Sequence, residues 1–170
     1  MIGGIVYDAL TIERRVTELG GQIAHDYRGK NPLLIGILNS SAVFLADLSR
    51  AVPIPSEFDF IAVSKFASDK SVRFEKDTAA SIEARHVLLV EDAIDTGLTL
   101  QYVMKTLKAR APASIEVCTL LDRPQHRIAD IQVKYRGFEI PDDFLVGYGL
   151  DYKGRYRELP ALYAHGSWPG

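Results

Sequence analysis

Val87-Leu88-Leu89-Val90-Glu91-Asp92-Ala93-Ile94-Asp95-Thr96-Gly97-Leu98-Thr99 is the stretch that decides how this chain is read. With His86 before it, Val87 to Val90 form a short, continuously apolar run that suits a strand buried on both faces of a parallel sheet. The run stops at Glu91-Asp92. Two carboxylates at a strand tip only accept hydrogen bonds when ionised, so they suit sugar hydroxyls or a hydrated divalent cation. Asp95 to Thr99 read as a tight turn into a helix. There the free backbone N–H groups and the Thr96 and Thr99 hydroxyls can enclose a phosphate dianion, and Gly97 lets the backbone approach closely. Carboxylates for a ribose beside a helix N-terminus for its phosphate make a ribose-5-phosphate site. The plainer alternative is an acidic surface turn between strand and helix.

The pattern on either side is that of alternating strands and helices. Downstream, Thr99 to Arg110 places Leu100, Val103, Met104 and Leu107 on one helical face, Pro112 stops it, and Ile115 to Leu121 is another apolar strand. Upstream, Leu33 to Leu38 is a second buried run, Asn39-Ser40-Ser41 a turn, Ala42 to Ala51 a helix and Glu57 to Val63 an alternating strand. Thr11 to Tyr27 has helical spacing with Thr11 as its N-cap, although Gly20-Gly21 weakens it, each Gly costing about 1 kcal/mol against Ala. Residues 64–85 read as a polar loop with one strand around Val72-Arg73-Phe74, and Val133 to Tyr135 and Phe144 to Gly149 complete the strands. Such an order predicts an α/β fold with a mainly parallel sheet, right-handed crossovers and a ligand beyond the carboxyl ends of the strands.

Composition bounds the function. The chain has 170 residues, which suits one domain over 1–170, and its 20 Lys and Arg against 22 Asp and Glu leave a net charge of −2. That balance gives no electrostatic reason to expect a long nucleic acid, but says nothing against a small phosphate ester. The single cysteine, Cys118, lies in an apolar strand, reads as packing and argues for a reducing compartment. No apolar run approaches the roughly 18 residues of a membrane span, and Met1-Ile2-Gly3-Gly4 resembles no secretion signal, so a cytoplasmic location is expected. The four histidines show no metal-ligand spacing.

The Val87–Thr99 stretch resembles the phosphoribosyl-diphosphate motif of the type I phosphoribosyltransferases, specifically the hypoxanthine-guanine phosphoribosyltransferases. Ile35 to Val63 resembles their first strand, helix and second strand, and Leu120-Leu121-Asp122-Arg123-Pro124 their purine-side loop. Gly137 to Tyr152, reading GFEIPDDFLVGYGLDY, is similar to their C-terminal signature. The resemblance implies their fold, with a small hood from N- and C-terminal segments (the latter about 123–170). It implies transfer of a phosphoribosyl group from 5-phosphoribosyl 1-diphosphate to a 6-oxopurine, with Mg2+, in a homodimer or homotetramer. By the same resemblance Asp95 is the proton acceptor near the purine, and Glu91, Asp92, Asp95, Thr96, Gly97, Leu98 and Thr99 hold the phosphoribosyl group. Asn39, Ser40 and Arg157 meet the diphosphate, and Ala93, Arg123, Phe144, Leu145 and Asp151 the purine. Glu91, Asp92 and Asp151 serve the metal, and a mobile loop over about 64–76 presents Ser64, Lys65 and Phe66. Taken singly, Phe144 could fill the core, Asp151 could be a turn residue and Arg157 a solvated cation.

The chain departs from the family pattern in four places. Asn39-Ser40-Ser41 lacks the usual central Gly; Ser64-Lys65-Phe66 replaces a Ser-Tyr pair; the mobile loop is about four residues shorter, which bears on water exclusion; and Arg123 stands where the family has Lys. Arginine still donates to a carbonyl oxygen, with a different reach. A modified or deazapurine acceptor therefore stays open. So does a nucleotide-binding regulator, to which Arg123, Arg127, Lys134 and Arg136 would lend a modest basic cluster.

Overall fold

The computed structural model describes residues 2–65 and 72–167. A six-stranded sheet is built from β2 (Leu33–Leu38), β3 (Glu57–Lys65), β4 (Val72–Lys76), β5 (His86–Ile94), β6 (Ser114–Asp122) and β7 (Tyr135–Glu139) in the order β4-β3-β2-β5-β6-β7. Every neighbouring pair is parallel except β3 and β4. β2 and the Val87–Val90 half of β5, at the centre of the sheet, are apolar throughout because each face is covered. Leu34, Leu88 and Val90 pack with α1 (Ala9–Asp26) and α2 (Ser41–Ala51), while Ile35, Val87 and Leu89 pack with α3 (Leu98–Lys108). Full burial of one such side chain is worth roughly 1.5–3 kcal/mol. Cys118 is buried in the first of these cores.

A second, antiparallel sheet of three strands forms the expected hood: β1 (Ile5–Tyr7), β9 (Leu162–Ser167) and β8 (Asp143–Val146), in the order β1-β9-β8. Leu145 and Leu162 enter the core shared with α1 and α2, and the Tyr7 ring stacks on Phe138 of β7 at 4.1 Å. The hood is thus packed on the main sheet rather than tethered to it.

Several element boundaries differ from the sequence reading. Helix α1 starts at Ala9, with Asp8 rather than Thr11 as its N-cap: an Asp8 carboxylate oxygen accepts the Thr11 amide at 2.7 Å. It runs through Gly20-Gly21 because Gly20 lies directly on the Ala51 carbonyl of α2, where a Cβ would come within 2.2 Å. Strand β8 ends at Val146 rather than Gly149, since Gly147, Tyr148 and Gly149 all have positive φ and turn the chain. Strand β7 lies at Tyr135–Glu139 instead of 133–135, set by pairing with β6 from Cys118↔Tyr135 to Asp122↔Glu139. The loop expected over 64–76 is shorter: Ser64 and Lys65 pair with Arg73 and Val72 at the ends of β3 and β4. Phe66 and the rest of the loop to 71 lie outside the described residues, as does Trp168. Among the described residues, no helix is long and apolar enough to cross a membrane.

Candidate active site

The strand that the sequence ends at Val90 continues to Ile94, with Glu91, Ala93 and Ile94 paired to Thr119, Leu121 and Asp122 of β6. Because successive strand side chains point to opposite faces, this extension separates the two carboxylates. Glu91 and Ala93 line a cavity of about 670 Å³, together with Val63 and the turn from Asp95 to Leu100. Asp92 faces away, where Ser40 and Arg157 are close enough to act on its charge. Burial pushes the Asp92 carboxyl above the ordinary Asp range, against the opposing pull of Ser40 and Arg157.

The cavity floor is the start of α3. Gly97, its N-cap, has φ 78°, and a Cβ there would come within 2.9 Å of Arg127 and 3.0 Å of Ile131, so both conformation and space call for glycine. The first-turn N–H groups of α3 have no partner within the helix by its geometry, and Thr96 and Thr99 add hydroxyls to the same wall. The turn is held from behind. The Ile128 and Ala129 amides both donate to the Thr96 carbonyl at 3.0 Å, and Arg127 Nε donates to the Asp95 carbonyl at 3.0 Å. The Arg127 guanidinium is paired in turn with Asp122, which is fully buried and lies 2.6 Å from Arg136 Nε through its other oxygen. The sequence places Asp122 only within the Leu120–Pro124 segment and Arg127 and Arg136 only in a basic cluster, with no pairing among them. The signal available was an Asp at a strand end flanked by arginines.

Asp95 itself is tied to the purine-side segment. Arg123 is 1% exposed; its Nη1 donates to Asp95 Oδ1 at 3.1 Å, its Nη2 to Asp142 Oδ1 at 3.1 Å and its Nε to the Pro141 carbonyl at 3.0 Å. A guanidinium committed to three protein acceptors is a brace between β5 and the strand entering the hood. Two of the four cations that suggested a basic face, Arg123 and Arg127, are spent inside the protein, Arg136 leans on Asp122, and Lys134 faces Asp26 and Glu116.

Ser40, Gly149 and Arg157 gather on the Asp92 face. The Leu38–Asn39 peptide is cis, Asn39 is exposed, and Ser41 Oγ donates to the Ile37 carbonyl at 2.7 Å. The Gly149 backbone packs on the Ser40 carbonyl. Arg157 donates to the Gly149 carbonyl at 2.6 Å and pairs with Asp151 at 2.9 Å, while the other Asp151 oxygen accepts the Gly154 amide at 2.6 Å. Phe144 is half-buried with its edge toward Tyr152 and His165, and Leu145 is buried in the core. Neither lines the cavity beside Glu91. Ser64, the penultimate residue of β3, has its hydroxyl buried and without a hydrogen-bond partner.

Among the described residues, no three His, Cys, Asp or Glu side chains cluster to cage a metal ion. The oxygen donors present fit a different arrangement. Mg2+ retains several waters and is usually bound through one or two carboxylates plus substrate phosphates, and Glu91 and Asp151 supply such carboxylates on the two faces of the site.

A strand ending in carboxylates that turns straight onto a helix N-terminus is the feature to set beside known proteins, and a family model for a phosphoribosyl transferase domain matches residues 4–153. The chain belongs to the phosphoribosyl transferase family. It is 45% identical to the hypoxanthine-guanine phosphoribosyltransferase of Mycobacterium tuberculosis over 168 residues, covering 93% of this chain and 83% of that one. It is 46% identical to the hypoxanthine phosphoribosyltransferase of Salmonella typhimurium over 155 residues, covering 88% and 87%. Among solved structures, it resembles a hypoxanthine-guanine phosphoribosyltransferase of Bacillus anthracis, with a TM-score of 0.95 at 35% identity over 98% of this chain and all of that one. The hypoxanthine phosphoribosyltransferase of Trypanosoma cruzi in complex with the product IMP has a TM-score of 0.90 at 38% identity, over 94% and 92% of the two chains.

Proposed function

We propose that this phosphoribosyl transferase moves the 5-phosphoribosyl group of 5-phosphoribosyl 1-diphosphate onto hypoxanthine or guanine, forming IMP or GMP and diphosphate. The observation that carries the reading is the cavity in which Glu91, Asp95, Thr96 and Thr99 surround the N-terminus of α3. The first-turn amides and the threonine hydroxyls take the 5-phosphate, favoured by the positive end of the helix dipole. Glu91 accepts ribose hydroxyl hydrogens. A purine nitrogen forms a bond to the anomeric carbon as the bond to diphosphate breaks, and the purine proton passes to Asp95. Ser40 and Arg157 receive the departing diphosphate, and the purine lies toward Phe144 and the Leu145 backbone, outside the cavity that takes the phosphoribosyl group. Glu91 on the cavity face and Asp151 on the opposite face would each offer a carboxylate to Mg2+, which when bound would supply Lewis-acid neutralisation of the diphosphate charge.

The kinship with purine enzymes supports this acceptor, while the commitment of Arg123 to Asp95, Asp142 and Pro141 favours a second reading for the purine edge: a modified or deazapurine, recognised without a free ammonium. A panel of hypoxanthine, guanine, adenine, xanthine and deazapurines, each mixed with the protein, phosphoribosyl diphosphate and Mg2+, decides between them. Nucleotide from hypoxanthine or guanine is expected, and no product with any base would sink the proposal. As a single domain the chain is proposed to assemble as a homodimer or homotetramer, a reading supported by a Trypanosoma cruzi relative in which the C-terminal region bears on oligomeric state and activity.

A further inference from the structure

We propose that His126 is a positioning residue that accepts the proton collected by Asp95 and releases it to water, restoring the carboxylate for the next turnover. The proposal rests on Asp95 being the proton acceptor of the reaction above.

The short 3-10 turn Pro124–His126 follows Arg123 directly and is closed by the His126 amide donating to the Arg123 carbonyl at 3.0 Å. It brings the imidazole between two carboxylates from different elements. On one side, Nε2 lies 2.5 Å from Asp142 Oδ1. Arg123 Nη2 also lies 3.3 Å from Nε2, but the contact with Asp142 is much the shorter, and an ionised carboxylate only accepts hydrogen bonds, which places the proton on Nε2. Hydrogen bonding to His126, and then to Arg123, holds the Asp142 carboxyl below the ordinary Asp range, which keeps it an acceptor. On the other side, Nδ1 lies 3.6 Å from Asp95 Oδ1. With Nε2 protonated, Nδ1 carries the free lone pair, and it faces the oxygen that would hold the purine proton. That distance is a few tenths of an ångström beyond a hydrogen bond, and such contacts commonly tighten only when substrate is bound.

The arrangement has the logic of a carboxylate that orients an imidazole toward a third group. Here the third group gives up a proton. Asp95–OH transfers its proton to Nδ1, forming an imidazolium held by Asp142 while Asp95 returns to carboxylate. The imidazolium then loses the Nδ1 proton to water, which leaves Nε2–H on Asp142 and returns the ring to its starting tautomer. Exposure rises from 27% at Asp95 to 39% at His126, so the proton moves toward solvent. Arg123, buried beneath all three, donates to both carboxylates and keeps them in register with the ring.

The test follows proton release and nucleotide formation in the same single turnover, by rapid mixing with a pH indicator in weak buffer. In the parent protein the two traces are expected to coincide. In His126→Gln, whose amide can still donate to Asp142 but has no basic nitrogen, proton release should lag nucleotide formation by about tenfold. Asp142→Asn, at a site exposed enough to tolerate change, should lag in the same direction. Added imidazole should remove the lag of His126→Ala. Proton release that keeps step with nucleotide formation in His126→Gln and Asp142→Asn overturns the relay, whatever happens to the overall rate. A parent protein that forms no nucleotide overturns the underlying reading and the relay with it, which is a distinguishable result.

Discussion

Glu91, Asp92 and Asp95 lie within five residues of one another, yet each carboxyl meets different surroundings. Glu91 opens into the cavity, Asp92 turns to Ser40 and is desolvated, and Asp95 is gripped by Arg123. Strand alternation separates the first two, and the turn that follows β5 carries the third past the strand end. The environment then sets the chemistry each can do, and for Asp92 desolvation favours the neutral acid. For Asp95 the consequence is testable. Asp95→Asn keeps the shape and an oxygen but cannot accept the purine proton, so turnover should fall by at least about a hundredfold. Nucleotide affinity, measured by calorimetry, should change by no more than about threefold. Equal loss of turnover and affinity would make Asp95 a binding group.

Among elements, α1 shows how packing overrides propensity. Gly20 and Gly21 argue equally against a helix, yet the two positions differ in what they face. Gly20 is pressed on the Ala51 backbone and Gly21 has nothing within 4 Å. Gly21→Ala should therefore stabilise the protein by about 0.5–1 kcal/mol through helix propensity. Gly20→Ala gains the same propensity but must push two helices apart, and should destabilise by about 1–3 kcal/mol. Urea unfolding of the two variants reads the opposite signs directly. Strand β5 shows the complementary case. Its apolar half was legible because both faces are covered, while its polar half, Glu91 to Ile94, was not, because those residues stay in the strand through pairing with β6 rather than through their own preference.

At the scale of the whole molecule, hood and sheet share one core, and the polar links are spread around its rim. One of them ties the turn after β4 to the residues following α3: Arg110 pairs with both Asp77 oxygens, at 2.6 and 2.7 Å. The Arg110 hydrogen bonds hold the Asp77 carboxyl below its ordinary value of 3.8. A carboxyl lowered on folding contributes stability that is present above its unfolded value and lost as pH falls through the folded one. Asp77→Asn should therefore cost about 0.5 kcal/mol at neutral pH, the pair being partly exposed. The gap from the parent should close as pH is taken below 3.8, where the parent carboxyl also becomes neutral. Urea unfolding at pH 7 and at pH 3 provides the check, and a gap that widens in acid would contradict this assignment.

What the sequence by itself determined was whatever depends on neighbours along the chain: the buried strands, the turn at Gly97, the start of α3 and hence a helix N-terminus at the carboxyl end of an α/β sheet. These rest on local backbone geometry and on apolar periodicity, both written in consecutive residues. The tertiary structure alone decided which groups face one another across long separations. Arg123 meets Asp95 over 28 positions, Asp142 meets His126 over 16, and Asp92 reaches Ser40 from the adjoining strand end. Arg123 could be read as a cation for the purine edge, but not as a buried brace, because its burial depends on the β5–β6 pairing and the segment entering β8 closing around it. Side-chain partners of this kind are set by how strands cross and where the hood docks, and no local pattern encodes that.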